Sequence, residues 1–175
     1  MPTPGTRLAS GSRVFRVVRY PSELNRIPET GRYELATSTF NPTPREEASD
    51  GCVSVWDVAY TTHEQGVTYA GRADRRYVVE LDVDQVRRVR LMEEEGYAGP
   101  LFDVFHDPLS ELVRNGPYSY ARPGNRGHCG LSGLSLAFAE MTLPPDGLKK
   151  KRQRVIRKEM LKLANASLHR LVGAP

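Results

Sequence analysis

Arg76-Tyr77-Val78-Val79-Glu80-Leu81-Asp82-Val83 alternates apolar and polar residues and is rich in β-branched side chains. Period-two alternation marks a strand with one face on a core, so Tyr77, Val79, Leu81 and Val83 are expected inward and Glu80 and Asp82 outward. Arg13-Val14-Phe15-Arg16-Val17-Val18-Arg19-Tyr20, ended by Pro21, reads as a strand too. It sets Val14, Arg16, Val18 and Tyr20 on one face and Arg13, Phe15, Val17 and Arg19 on the other. Whichever face is buried carries an Arg, and a buried guanidinium needs a carboxylate or a ligand anion beside it. Cys52–Val58, Leu101–Phe105 and the Gly-rich His128–Leu134 are further strand segments.

Helical signals lie between and after these strands. Thr61-Thr62-His63-Glu64 has capping-box spacing from Thr61 to Glu64, and Asp84 is placed to cap a helix running to Glu95 before Gly96. Asp107-Pro108, followed by Leu109, Leu112 and Val113 and closed by Gly116, predicts a helix over 107–115. Past the Pro144-Pro145-Asp146-Gly147 break, Ile156, Met160, Leu163, Ala164, Leu168 and Leu171 recur at helical spacing. They predict an amphipathic helix over residues 148–172.

The expected fold is a single α+β domain with a mainly antiparallel sheet of about four to six strands. Residues 1–12 read as a flexible N-terminus, 13–143 as the body, and the C-terminal helix as part of the same domain. Residues 21–51 are rich in turn formers and long for a structureless loop, which points to a binding or lid role.

Charge divides the chain sharply. Residues 1–148 hold 16 Arg, no Lys and 20 Asp plus Glu; residues 149–175 hold five Lys, four Arg and the single acid Glu159. A mildly acidic body therefore carries a cationic C-terminal element, and a local patch sets the field that a partner meets. Lys149-Lys150-Lys151-Arg152 occupies the first turn of the predicted helix, the end where the macrodipole disfavours cations. An external anion would offset that repulsion. Nucleic acid or another polyanion is the expected partner, held by Lys149, Lys150, Lys151, Arg152, Arg154, Arg157, Lys158 and Lys162. The alternative is a structural or interaction helix that docks its apolar stripe in a protein groove or on its own body.

Other classes are excluded by pattern. No apolar run reaches the roughly 20 residues of a membrane span, and the N-terminus lacks a signal core, so a cytoplasmic protein without a membrane partner is expected. Cys52 and Cys129 are too few for a disulfide framework and read as buried thiols. Cys52, Cys129, His106 and His128 lack paired metal-ligand spacing, so no metal or cofactor is expected. No P-loop, dinucleotide fingerprint or nucleophile elbow is present.

Several short elements carry a resemblance. Phe40-Asn41-Pro42, Asp50-Gly51-Cys52-Val53-Ser54-Val55, Asp107-Pro108 and His128-Cys129-Gly130-Leu131-Ser132-Gly133 follow one another in that order. The order resembles a group of small bacterial proteins sharing Phe-x-Pro, Asp-Gly-x-x-Ser-Val, Asp-Pro and His-small-x-aliphatic-x-Gly, and implies a compact bacterial domain. A second likeness is to the RES and ADP-ribosyltransferase class of NAD-consuming domains, although their Arg-x-Asn-x-x-Gly stretch is missing. It implies a first-strand Arg (Arg16 or Arg19), Tyr60 and Glu64 as site residues and NAD as substrate. His128, a proton donor in a Gly-rich strand, would join them in a cleft for an anionic substrate. The sequence does not decide whether the protein is an enzyme.

Overall fold

A computed structural model describes residues 5–44, 46, 51–69, 77–89, 102–106, 127–134 and 149–171. The strands are β1 (Arg13–Val18), β2 (Leu24–Arg26), β3 (Tyr33–Leu35), β4 (Val53–Asp57), β5 (Tyr77–Asp82), β6 (Asp103–His106), β7 (His128–Ser132) and β8 (Leu168–Arg170). Among the described residues the helices are α1 (His63–Tyr69), α2 (Val83–Arg88) and α3 (Lys149–Asn165). Six strands form one sheet in the order β6-β7-β4-β1-β5-β8, every neighbouring pair antiparallel, while β2 and β3 form a separate hairpin. The expected α+β class with a mainly antiparallel sheet is the one observed.

Strand β1 lies inside the sheet, and each of its faces meets a different core. Val14 and Val18 join Val55, Val79, Leu81, Val104, Cys129 and Leu131 on one face. Val83 and Val86 of α2 and Met160, Leu161 and Ala164 of α3 close that face, with Leu24, Leu35 and Phe40 in the same cluster. Phe15, Val17, Trp56 and Val78 form a smaller cluster on the opposite face, packed against Val67 of α1. Burial on both faces explains why β1 reads as a nearly unbroken apolar run. Helix α1 approaches Phe15 so closely that a Cβ at Gly66 would stand 2.6 Å from the ring Cζ.

Several expectations are corrected. The C-terminal helix stops at Asn165 instead of running to residue 172, and β8 then pairs with the outer side of β5. Leu168 continues the helical spacing, yet pairing the last residues with β5 satisfies backbone groups that a bare edge would leave open. Residues 5–8, expected to be flexible, run along β6: His106 N–H donates to Thr6 O (2.8 Å) and Leu8 N–H to Val104 O (3.0 Å). Leu8 is buried there. The 21–51 stretch, expected to lack regular structure, contains the β2–β3 hairpin, whose three-residue strands are too short to show alternation.

Cap positions shift too. The capping box of α1 is Thr62 with Gln65, where Gln65 N–H donates to Thr62 Oγ1 (3.2 Å) and Thr62 N–H to Gln65 Oε1 (2.9 Å). Helix α2 is capped by Asp82, which accepts from Gln85 N–H (2.9 Å), whereas Asp84 accepts from Ser10 and Gly11. Glu80, expected to face outward, lies on the face that α1 covers, paired with Arg13 and His63. The helix expected over 107–115 lies outside the described residues.

Candidate functional site

Arg16 sits on the larger core face of β1 and is 7% exposed. Its Nε donates to the Thr39 carbonyl (2.8 Å) and its Nη1 to the Ser54 carbonyl (3.0 Å), while Nη2 stands 3.9 Å from Glu23 Oε1. Burial pulls the guanidinium below its usual value, and Glu23 and Glu46 oppose that pull. Burial would by itself raise the Glu46 carboxyl, but Arg16 and the N–H groups of Thr43 and Ser54 outweigh it and hold it below the usual carboxylate range. The sequence-level condition on a buried first-strand Arg is therefore met by protein groups. Thr39 and Ser54, which adjoin or belong to the elements that carried the resemblance, form part of this nest.

A second polar line crosses the same face. Cys129 Sγ lies 3.5 Å from His106 Nδ1 and donates to the Gly127 carbonyl (3.3 Å), and His106 Nε2 lies 3.8 Å from Asp57 Oδ2. Burial holds the His106 imidazole below its usual range against the pull of Asp57, so it is neutral near pH 7. Thiol, imidazole and carboxylate in sequence have the makings of an activated nucleophile. Cys129 is 0% exposed, however, so a substrate has no path to the sulfur in this arrangement. The line acts as an internal polar network joining β4, β6 and β7.

The residues expected to form an NAD or anionic-substrate cleft do not converge. Phe15 pairs with Trp56 and Trp56 with His128, so His128 lies on the Phe15 face and Arg16 on the other. His128 is buried edge-on to the Trp56 ring, with centroids 5.9 Å apart. Arg19 follows the end of β1, and its N–H donates to Glu23 Oε2 (2.8 Å). Tyr60 follows the end of β4, and because β1 and β4 are antiparallel it lies at the opposite end of the sheet from Arg19. Its ring stands edge-on to His106 at 6.0 Å. Glu64 is exposed in the first turn of α1. Strand alternation thus separates Arg16 from His128, and Arg19 and Tyr60 lie at opposite ends of the sheet, so the five residues expected in one cleft are not brought together. Among the described residues no cluster of three or more His, Cys, Asp or Glu is arranged to hold a metal.

Helix α3 presents a different surface. Met160, Leu161 and Ala164 are buried against the body, whereas Lys158 and Lys162 are exposed and Lys162 Nζ bonds Glu159 (2.6 Å). Arg157 is half-buried. Lys149, Lys150, Lys151, Arg152 and Arg154 are helical, their side chains lying outside the described ones, and the first turn contains no acid. Asn165 Oδ1, at the end of α3, accepts from Leu35 N–H of the hairpin (2.8 Å).

Three tyrosines gather beside that junction. Tyr20 stacks on Tyr77 with centroids 6.1 Å apart and planes at 24°, and Tyr33 meets both rings edge-on at 5.6 and 5.7 Å. Tyr20 and Tyr33 share a hydroxyl hydrogen bond of 3.2 Å, which pushes the Tyr33 phenol above its usual value. Tyr20 is 41% exposed. Arg26 is exposed and directly opposite Tyr33 across the hairpin, whereas Glu34 pairs with Asn25 on the other face. Sequence reading missed this cluster because its members come from three segments without a shared period. It also missed Glu46, although the Thr43-x-x-Glu46 spacing of a capping box was there to be read.

Comparison of the chain with protein families, with curated proteins and with solved structures finds no match.

Proposed function

We propose that this protein binds nucleic acid or a chemically similar polyanion through α3. One observation carries the reading: a 17-residue helix with basic residues and no acid in its first turn is anchored by buried residues from its C-terminal half. Cations in a first turn oppose the macrodipole, so local helix stability does not account for them, whereas phosphate groups there would be favoured. The apolar residues Met160, Leu161 and Ala164 are already packed on the body, which favours this reading over a helix that docks in a partner's groove. Lysine contacts to phosphate carry no base information, so sequence selectivity should be slight. Two cysteines, too few for a disulfide framework, fit a reducing, cytoplasmic setting. No helix among the described residues is long and apolar enough to cross a membrane.

The test is binding to heparin and to duplex DNA across a salt series. Log affinity should fall linearly with log salt, with a slope of about −0.9 for each duplex phosphate neutralised. Reversing Lys149, Lys150, Lys151 and Arg152 to Glu should abolish binding while the protein stays folded. Binding that survives this reversal, or that is absent at low ionic strength in the wild type, would overturn the proposal.

A further inference from the structure

We infer that the Tyr20–Tyr33–Tyr77 cluster is a base-stacking platform and that the polyanion is single-stranded nucleic acid. This inference rests on the polyanion reading of α3 and adds to it the chemistry of the ligand. Three observations lead there. Tyr20 keeps 41% of its surface in solvent although two aromatic partners are at hand to bury against. Its ring is held in orientation by the stack on Tyr77 and by the hydroxyl bond to Tyr33. A tyrosine so fixed offers a flat face at little further entropic cost. Charge is matched to the rings as well, since exposed Arg26 stands opposite Tyr33 and the hairpin's Glu34 faces the other way.

The position of the cluster ties it to α3. Leu35 of β3 bonds Asn165 at the end of the helix, and Tyr77 pairs with Arg170 in β8 just beyond it. From that junction the helix extends about 25 Å at 1.5 Å per residue, passing exposed Lys162 and Lys158 on the way to its basic first turn. Rings at one end and cations along the remainder are the two parts of a single-strand site, where bases stack on aromatics and the backbone follows positive charge over about 4–16 nucleotides. A duplex would use only the cations, because its bases are stacked on each other and cannot lie on Tyr20.

The experiment compares an oligothymidylate of about 16 nucleotides with an abasic oligomer of equal length, which keeps the phosphates and lacks the bases. Wild type should bind the thymidylate more tightly. Tyr20→Ala should weaken thymidylate binding about 5- to 160-fold, the range of one lost base–aromatic stack, and leave abasic binding unchanged. Tyr20→Phe should retain most of the affinity, and Tyr20→Leu, which keeps apolar cover without the π-face, should behave like Tyr20→Ala. Unchanged melting of the Leu variant separates lost stacking from lost folding. Equal wild-type affinity for both oligomers, or equal weakening of both by Tyr20→Ala, would overturn the platform while leaving polyanion binding by α3 intact. No binding of heparin or of either oligomer would remove both proposals together.

Discussion

Two cationic regions of this protein differ in setting, one buried on β1 and one on helix α3. In the interior, the Arg16 guanidinium donates to two backbone carbonyls and lies in the field of Glu23 and Glu46. In α3 the first turn carries basic residues and no acid, exposed Lys158 follows, and exposed Lys162 bonds Glu159. Both regions invite a search for an anionic ligand when read from sequence. The difference teaches that a positive charge marks a binding site only where the protein has not already answered it. Arg16 is answered, and its role is to hold Thr39 and β4 against β1.

Removal of the interior charge should have the largest effect. Arg16→Met should strip Thr39 and Ser54 of a donor and remove the positive charge beside buried Glu23 and half-buried Glu46. Breaking a buried pair from one side costs about 3–5 kcal/mol, so denaturant unfolding should show a loss of that size. Heparin affinity of the folded protein should stay at the wild-type level. A variant within about 1 kcal/mol of wild type, well under that range, would mean that the guanidinium is spare, and would return Arg16 to the list of ligand-binding groups.

The carboxylate side of the same nest gives a smaller effect with a definite pH sign. The folded Glu46 carboxyl is held below its usual range, so the native state binds fewer protons there than the unfolded chain. Its stabilisation is complete above the unfolded value of about 4.3 and is lost as pH falls through the folded value. Glu46→Gln should lower stability by about 1–3 kcal/mol near pH 7, where Arg16 loses a charge partner. The gap should close in acid, where wild-type Glu46 is protonated. Parallel stability curves for the two proteins down to pH 2 would show that Glu46 is not part of the Arg16 nest.

How much of this could be read in the sequence follows from the range of each interaction. Alternation is local, so β1 and β5 and the presence of an Arg on a buried face of β1 were legible. The acceptors of that Arg were not, because Thr39 and Ser54 stand 23 and 38 residues away and reach it only through the fold. The separation of Arg16 from His128 was hidden for the same reason: it depends on the β1–β4 and β4–β7 registers, and a shift of one residue would exchange the faces. Helix α3 was legible through Ala164 but not its end, since Leu168 satisfies the helical spacing and the strand β8 equally well. The cationic start of α3 needed no tertiary information, whereas the tyrosine platform is wholly tertiary.

The finest test asks whether the first-turn cations of α3 are unanswered by the rest of the protein. If they are, they oppose only the helix dipole, and replacing one by an acid should stabilise the folded state. Lys150→Glu should therefore raise the unfolding free energy by about 0.3–1 kcal/mol at low ionic strength, even as it weakens polyanion binding. The gain should fade in high salt, where exposed charges are screened within a few ångströms. Lys158→Glu, about two and a half turns into the helix, should show almost none of this gain, because the dipole effect is confined to the terminal turns. A loss of stability in Lys150→Glu would mean that a carboxylate of the body already partners the basic end of α3. The surface region would then resemble the Arg16 nest, and its cations would be structural rather than free to meet a ligand.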